Sequence, residues 1–208
     1  MSRVFADRRD AGRELGRRLA EELEHDDALV LGLPRGGVPV AFEVAAALDA
    51  PLVVFLVRKL GVPGHEELAM GAIASGGVRV RNEPVLAATG VDERTLDDVA
   101  RRELAEFERR ERLYRDGRPA PDVAGRRLVL VDDGLATGST MHAAVTALRR
   151  LHAGRIVVAV PVGAPETCAE FDRHSDGVVC VETPERFGGV GLWYDDFSPT
   201  EDDEVWRC

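Results

Sequence analysis

Apolar residues recur every three to four positions from Arg8 to His25 and bring Leu15, Leu19 and Leu23 onto one face, a period that predicts an amphipathic helix. The pattern then switches. Ala28 to Leu33 is a short unbroken apolar run, which predicts a strand, and Pro34-Arg35-Gly36-Gly37 ends it before a second helix over Val38 to Leu48. Pro51 to Val57 reads PLVVFLV, continuous enough to predict a strand buried on both faces and closed by Arg58-Lys59. Leu60 to Gly77 is glycine-rich and weakly patterned. Within it, Ala69 to Ala74 and Val78 to Val80 flank Ser75-Gly76-Gly77 as an exposed hairpin.

Asp92 to Arg115 predicts a long charged helix with Leu96, Val99, Ala100, Leu104, Phe107 and Tyr114 as its apolar stripe. A connector over Arg118 to Gly125 leads to a strand at Arg127 to Val131, a turn, and a helix over Gly138 to His152. A strand at Ile156 to Val160, a helix at Glu166 to Arg173 and a strand at Gly177 to Val181 come next. This alternation predicts an α/β fold with a mainly parallel central sheet flanked by helices. No repeat or linker interrupts it, so 1–208 reads as a single domain, a size that one core can support. Pro184 to Cys208 breaks the pattern and collects Trp193, Tyr194, Phe197 and Trp206.

Composition narrows the function classes. The formal charge of −10 repels a phosphate backbone, so general nucleic-acid binding is not expected, although a local basic pocket for a small anion fits. No apolar run reaches the roughly 20 residues of a membrane span, and Arg and Asp punctuate the first residues, unlike a signal peptide. Cys168, Cys180 and Cys208 lack metal-ligand spacing, so a reducing cytoplasm without structural disulfides is expected. All but one of the 27 basic residues are arginine, the exception being Lys59. It survives either by chance or because a compact ammonium is needed there.

The strongest chemical signal is Leu128 to Met141, LVLVDDGLATGSTM. A buried strand delivers two acids, Asp132 and Asp133, to its carboxyl end. A small-residue loop and a helix start come after them, with backbone amides and the hydroxyls of Thr137, Ser139 and Thr140 suited to an anion. Two carboxylates beside a phosphate cradle make sense if the ligand also offers hydroxyls or a bound cation, as a sugar phosphate does. Neither the Walker A spacing nor G-x-G-x-x-G is present.

This segment resembles the phosphoribosyl pyrophosphate (PRPP) motif of the type I phosphoribosyltransferases. The resemblance implies that fold, with a small C-terminal hood over about residues 184–208 and a mobile flap. It implies that Asp132 and Asp133 hold the ribose hydroxyls and that Ala136, Thr137, Gly138, Ser139 and Thr140 hold the 5′-phosphate. Pro34-Arg35-Gly36-Gly37 resembles the family's pyrophosphate loop, often built on a strained or cis peptide. Arg35 would contact pyrophosphate, and Gly36 and Gly37 would admit it closely. Arg58-Lys59 resembles the pyrophosphate-binding Arg-Lys pair of adenine phosphoribosyltransferases, which favours the functional reading of the lone lysine. Beyond the motif, RKLGVPG (58–64), ELAMGA (67–72) and FGGVGLWYDDF (187–197) resemble a bacterial group of such enzymes with no assigned acceptor.

The resemblance implies an Mg²⁺-dependent enzyme transferring 5-phosphoribosyl from PRPP to a small, planar nitrogenous acceptor with release of pyrophosphate. Mg²⁺ would arrive with PRPP rather than in a protein cage. A homodimer is left open. Glu67, beside Glu66 and His65 in the expected flap, would orient or deprotonate the acceptor, or else it is a solvated residue of a hairpin. Trp193 and Tyr194 would stack on the acceptor or form the core of a lid. His142 reads as a packed helix residue. Two other functions compete: a PRPP-sensing protein without turnover, and a phosphatase using Asp132 or Asp133 as nucleophile. The helix start directly after the acids fits the phosphatase poorly.

One position departs from the 6-oxopurine enzymes of the family. They carry an acid, serving the base N7, where this chain has Ala136. Hypoxanthine and guanine are therefore expected to be negligible acceptors in a base-panel assay of pyrophosphate release, and robust use of either would remove this inference from Ala136.

Overall fold

The computed structural model describes residues 4–23, 27–115 and 120–208, so the expected end of the first helix (24–25) and start of the connector (118–119) lie outside the described residues. Along the chain, α1 (Arg8–Glu22), β1 (Ala28–Gly32), α2 (Gly37–Leu48) and β2 (Leu52–Val54) come first. β3 (Val57–Val62), β4 (His65–Ala74) and β5 (Val78–Arg81) are next, then α3 (Glu83–Thr89) and α4 (Glu93–Arg115). The remainder is β6 (Arg127–Val131), α5 (Ser139–Arg150), β7 (Arg155–Val162), α6 (Pro165–His174), β8 (Val178–Glu182) and a short α7 (Asp202–Trp206).

The central sheet has the order β2-β1-β6-β7-β8, and every neighbouring pair is parallel. Side chains alternate across it with period two. Val30, Val129, Val157 and Val179 meet Leu15 and Leu19 of α1 and Val40 and Val44 of α2 on one face. Leu31, Leu130, Ile156 and Val158 meet Met141 and Leu148 of α5 and Phe171 of α6 on the other. This is the α/β architecture the alternating pattern predicts. β7 runs on through Pro161, whose missing N–H falls between the paired positions Val160 and Val162.

The run PLVVFLV is not one strand. It divides between two sheets. Only Leu52–Val54 joins the central sheet, as a half-buried edge strand, whereas Val57 begins an antiparallel sheet of order β3-β4-β5. The chain crosses at Phe55 and Leu56. The Phe55 amide donates to the Gly32 carbonyl (3.0 Å), and the Leu56 amide to Ser75 Oγ (3.0 Å). Phe55 is buried against the central core, and Leu56 enters a separate core formed with α4. A continuous apolar run is equally what one doubly covered strand and two strands in adjacent cores produce. Arg58 and Lys59 consequently lie inside β3 instead of closing a strand.

The hairpin around Ser75-Gly76-Gly77 forms, but it is covered rather than exposed. Ala72, Ala74 and Val80 pack towards α5, while Met70 and Ile73 pack towards Leu96, Val99 and Phe107 of α4. The stripe expected on α4 thus serves as the cover of this second sheet. No helix among the described residues is long and apolar enough to cross a membrane.

Because Phe55 fills the junction of the two sheets with no exposure, Phe55→Ala is expected to lose about 3–5 kcal/mol in urea unfolding. A loss below about 1 kcal/mol would show that the junction collapses around the cavity.

Candidate functional site

Strand β6 ends at Val131, and the next two residues present their carboxyl groups at the carboxyl edge of the central sheet, where ligands of open α/β folds bind. Asp132 Oδ1 accepts the Asp133 amide (2.9 Å), and Asp133 Oδ2 accepts from Arg8 Nε (2.9 Å). Burial raises both pKa values, that of Asp132 well above the carboxylate range. The charge of Asp133 adds to the shift at Asp132, whereas the Arg8 guanidinium opposes it at Asp133. The pair is therefore costly to keep ionised without hydroxyl donors or a cation.

The turn after β1 closes directly on this pair, and its Pro34–Arg35 peptide is cis, a geometry the resemblance implies for that loop. A Cβ on Gly36 would lie 2.0 Å from Asp133 Oδ2, and one on Gly37 would lie 2.8 Å from Asp132 Cα. These glycines thus admit the acids, a role that their place in the sequence does not disclose. Arg35 stays exposed, with Nη1 3.9 Å from Glu201 and 4.0 Å from Asp202.

On the other side, Leu135 bridges Gly163 of the adjoining chain, and Thr167 Oγ1 of α6 donates to the Ala136 carbonyl (2.7 Å). Gly138 takes a left-handed conformation (φ 69°) immediately before α5, packed against Phe171, so Thr137, Ser139 and Thr140 gather at the start of that helix. Thr137 Oγ1 and Ser139 Oγ are 3.2 Å apart. The segment LATGSTM thus gathers amides and hydroxyls at a helix N-terminus, an arrangement suited to an anion. His142, one turn on, stacks on Phe171 (4.1 Å) and contacts Glu170 (3.1 Å), as a packed helix residue.

A cleft of about 430 Å³ connects this cradle to β3, since Thr140 and Lys59 both line it. Arg58 is in the same cleft but pairs with Glu103 of α4 (2.5 Å). Two acids line the cleft, Glu103, which Arg58 engages, and Glu66 of β4. Glu67 lines a different cavity, beside Ser139 and His142, so the structure does not bring it to Lys59. The cause is the period of two on β4, which sends neighbouring side chains to opposite faces.

Trp193 and Tyr194 separate in a similar way. Tyr194 is buried, stands 5.7 Å from the Phe5 ring and 5.0 Å from the Phe197 ring, and donates its hydroxyl to the Asp133 carbonyl (2.5 Å). It belongs to the core of the C-terminal segment, the second of its two sequence readings, and supports Asp133 from behind. Trp193 is half-buried and donates Nε1 to the Phe187 carbonyl (2.9 Å). Trp206 is exposed and joins neither. The cysteines carry no disulfide, with Cys168 buried and Cys180 half-buried.

The model of the phosphoribosyl transferase domain matches residues 8–195. This chain belongs to that family. Over 203 residues the phosphoribosyl transferase domain is 50% identical to a Mycobacterium tuberculosis protein named "putative phosphoribosyl transferase", a match covering 98% of this chain and 46% of that one. The chain thus spans about half the length of that relative. A Thermus thermophilus protein of known crystal structure is 42% identical and superposes with a TM-score of 0.88, covering 98% of this chain and 96% of that one. An amidophosphoribosyltransferase of Synechococcus elongatus is 27% identical over 153 residues, covering 74% of this chain and 24% of that one.

At the acidic pair of this phosphoribosyl transferase domain, a reading of the sequence misses Arg8 and the role of Tyr194. Arg8 lies 125 positions from Asp133, and periodicity marks it only as the start of a helix. Tyr194 stands out in the sequence for its ring, although its hydroxyl makes the contact to Asp133. Tyr194→Phe, which removes that donor and keeps the ring, is expected to cost about 0.5–1.5 kcal/mol of stability by denaturant titration. An unchanged midpoint would show that the Asp133 carbonyl finds another donor.

Proposed function

We propose that this domain transfers the 5-phosphoribosyl group from PRPP to a small, planar nitrogenous acceptor and releases pyrophosphate. The observation that supports this reading is the position of Asp132 and Asp133 beside the Gly36-Gly37 turn and directly before a helix N-terminus suited to an anion. The Gly36-Gly37 turn closes on one side, and the Ala136–Thr140 loop lies on the other. A ligand with two hydroxyls between two phosphate groups matches that order. The acids would hold the ribose hydroxyls, and Thr137, Ser139, Thr140 and the amides from Ala136 to Gly138 would hold the 5′-phosphate.

In such a transfer the bond from the ribose C1 to the pyrophosphate oxygen breaks as the acceptor nitrogen bonds to C1, and positive charge develops on the ring. The protein's share is placement and charge. Lys59 and Arg35 would neutralise the departing pyrophosphate, Arg58 contributing less because Glu103 engages it. Glu66, in the cleft with Lys59, takes the orienting role that the sequence suggests for Glu67. Of the two aromatic residues, Trp193 alone is left as a stacking surface.

The carboxyl and hydroxyl oxygens of Asp132, Asp133 and Thr137 are donors of the kind Mg²⁺ takes. An ion arriving with PRPP would be held through the substrate's oxygens, with Asp132 and Asp133 on the neighbouring hydroxyls. When bound, it would offset charge on the leaving pyrophosphate.

Pyrophosphate release from PRPP across bases and amines tests the proposal. Asp133→Asn is expected to abolish it with the fold intact by circular dichroism, and turnover equal to wild type would overturn the assignment of the acids. Lys59→Arg is expected to lower kcat clearly despite keeping the charge, and kinetics within about twofold of wild type would make the lone lysine a compositional accident. PRPP binding without release for every acceptor would favour a PRPP-sensing protein.

A further inference from the structure

Arg8 sits where a helix resists it. It opens α1 directly after the Asp7 cap, and the positive end of the helix dipole disfavours a cation in that turn. Its guanidinium is nevertheless held by three different features. Nε donates to Asp133 Oδ2 (2.9 Å), Nη1 donates to the Ser198 carbonyl (2.8 Å), and the flat face lies over the Phe197 ring with Cζ 4.0 Å from its centroid. Edge, tip and face are each engaged, so the group has one orientation. The pair is enclosed, with 12% and 16% of the two side chains exposed, and a Cβ at Gly36 would collide with both partners.

Stability explains this arrangement poorly. A buried ion pair gains little net free energy, because the cost of removing both charges from water offsets most of the attraction. What the contact does fix is the rotamer of Asp133. With Oδ2 on Arg8 and the backbone carbonyl on Tyr194, the carboxylate plane is set, and among the described residues no donor from another side chain reaches Oδ1.

We propose that Arg8 is the positioning residue of the ribose-binding carboxylate, fixing one oxygen of Asp133 so that the other is presented to the donor sugar. This rests on the reading of the site as a PRPP site. Arg8 itself does not touch the substrate; it acts through Asp133, from the side of the carboxylate that α1 and the C-terminal segment cover.

A double-mutant cycle on PRPP affinity separates positioning from simple fastening. Calorimetric titration with Mg²⁺-PRPP, well below the melting temperature of every variant, would use wild type, Arg8→Gln, Asp133→Asn and the double variant. Arg8→Gln is expected to weaken PRPP binding on the order of tenfold, but to change it by less than about twofold when Asp133 is already Asn. Arg8→Lys, which keeps the charge and loses the fork and the flat face, is expected to recover only part of the affinity. It also replaces Arg8→Gln in both backgrounds if the latter fails to fold. Equal losses in the two backgrounds, or a lowered melting temperature with PRPP affinity unchanged, would overturn the proposal and leave the PRPP reading standing. Absence of PRPP binding by the wild type would overturn both.

Discussion

Two neighbouring carboxylates withdrawn from water repel each other, and this constraint organises everything around Asp132 and Asp133. Each adjoining element contributes something that offsets it. The Asp133 amide turns back onto Asp132, α1 supplies the Arg8 cation, and the C-terminal segment supplies the Tyr194 hydroxyl at the peptide carbonyl. The β1 turn can close over the pair only because Gly36 and Gly37 have no side chains. Contacts from three separate stretches of sequence thus converge on one dipeptide. The acids retain a demand for hydroxyl donors that a sugar can meet.

The second sheet does a different job. Sandwiched between α4 and α5, it brings Lys59 to a cleft whose remaining walls are α4 and Thr140 at the start of α5. Since α5 begins at the phosphate-type cradle and also packs on β3, β4 and β5, the cradle and the Lys59 wall share a common support. Their spacing is therefore set by packed cores rather than by loops.

Local chemistry is legible in the sequence wherever the residues that cooperate are adjacent. The acids, the loop after them and the helix start occupy one continuous segment, and the alternation of helix and strand reveals the central sheet. Hydrophobicity reports burial but not the neighbour. For that reason PLVVFLV reads as one strand although Phe55 and Leu56 enter different cores, and the covered hairpin reads as exposed. A single step in register decides between Glu66 and Glu67, and a weakly patterned stretch leaves that step undetermined. Arg8 is invisible for a simpler reason. Its partners, Asp133 and Ser198, are 125 and 190 positions away.

The hairpin joining β3 and β4 turns at Pro63 and Gly64, both exposed, and nothing lies within 4 Å of a Cβ at Gly64. Yet both residues line the cleft, as do Lys59 on one arm and Glu66 on the other. On the β4 arm the buried residues begin only at Met70, whereas on the β3 arm Val62, just before the turn, is already buried in the core with α4. Lengthening or shortening the chain between Pro63 and Glu66 would reshape the mouth of the cleft. In an evolving lineage, insertion and deletion at this one turn would vary the entrance of the cleft while the buried strands behind it stayed in place.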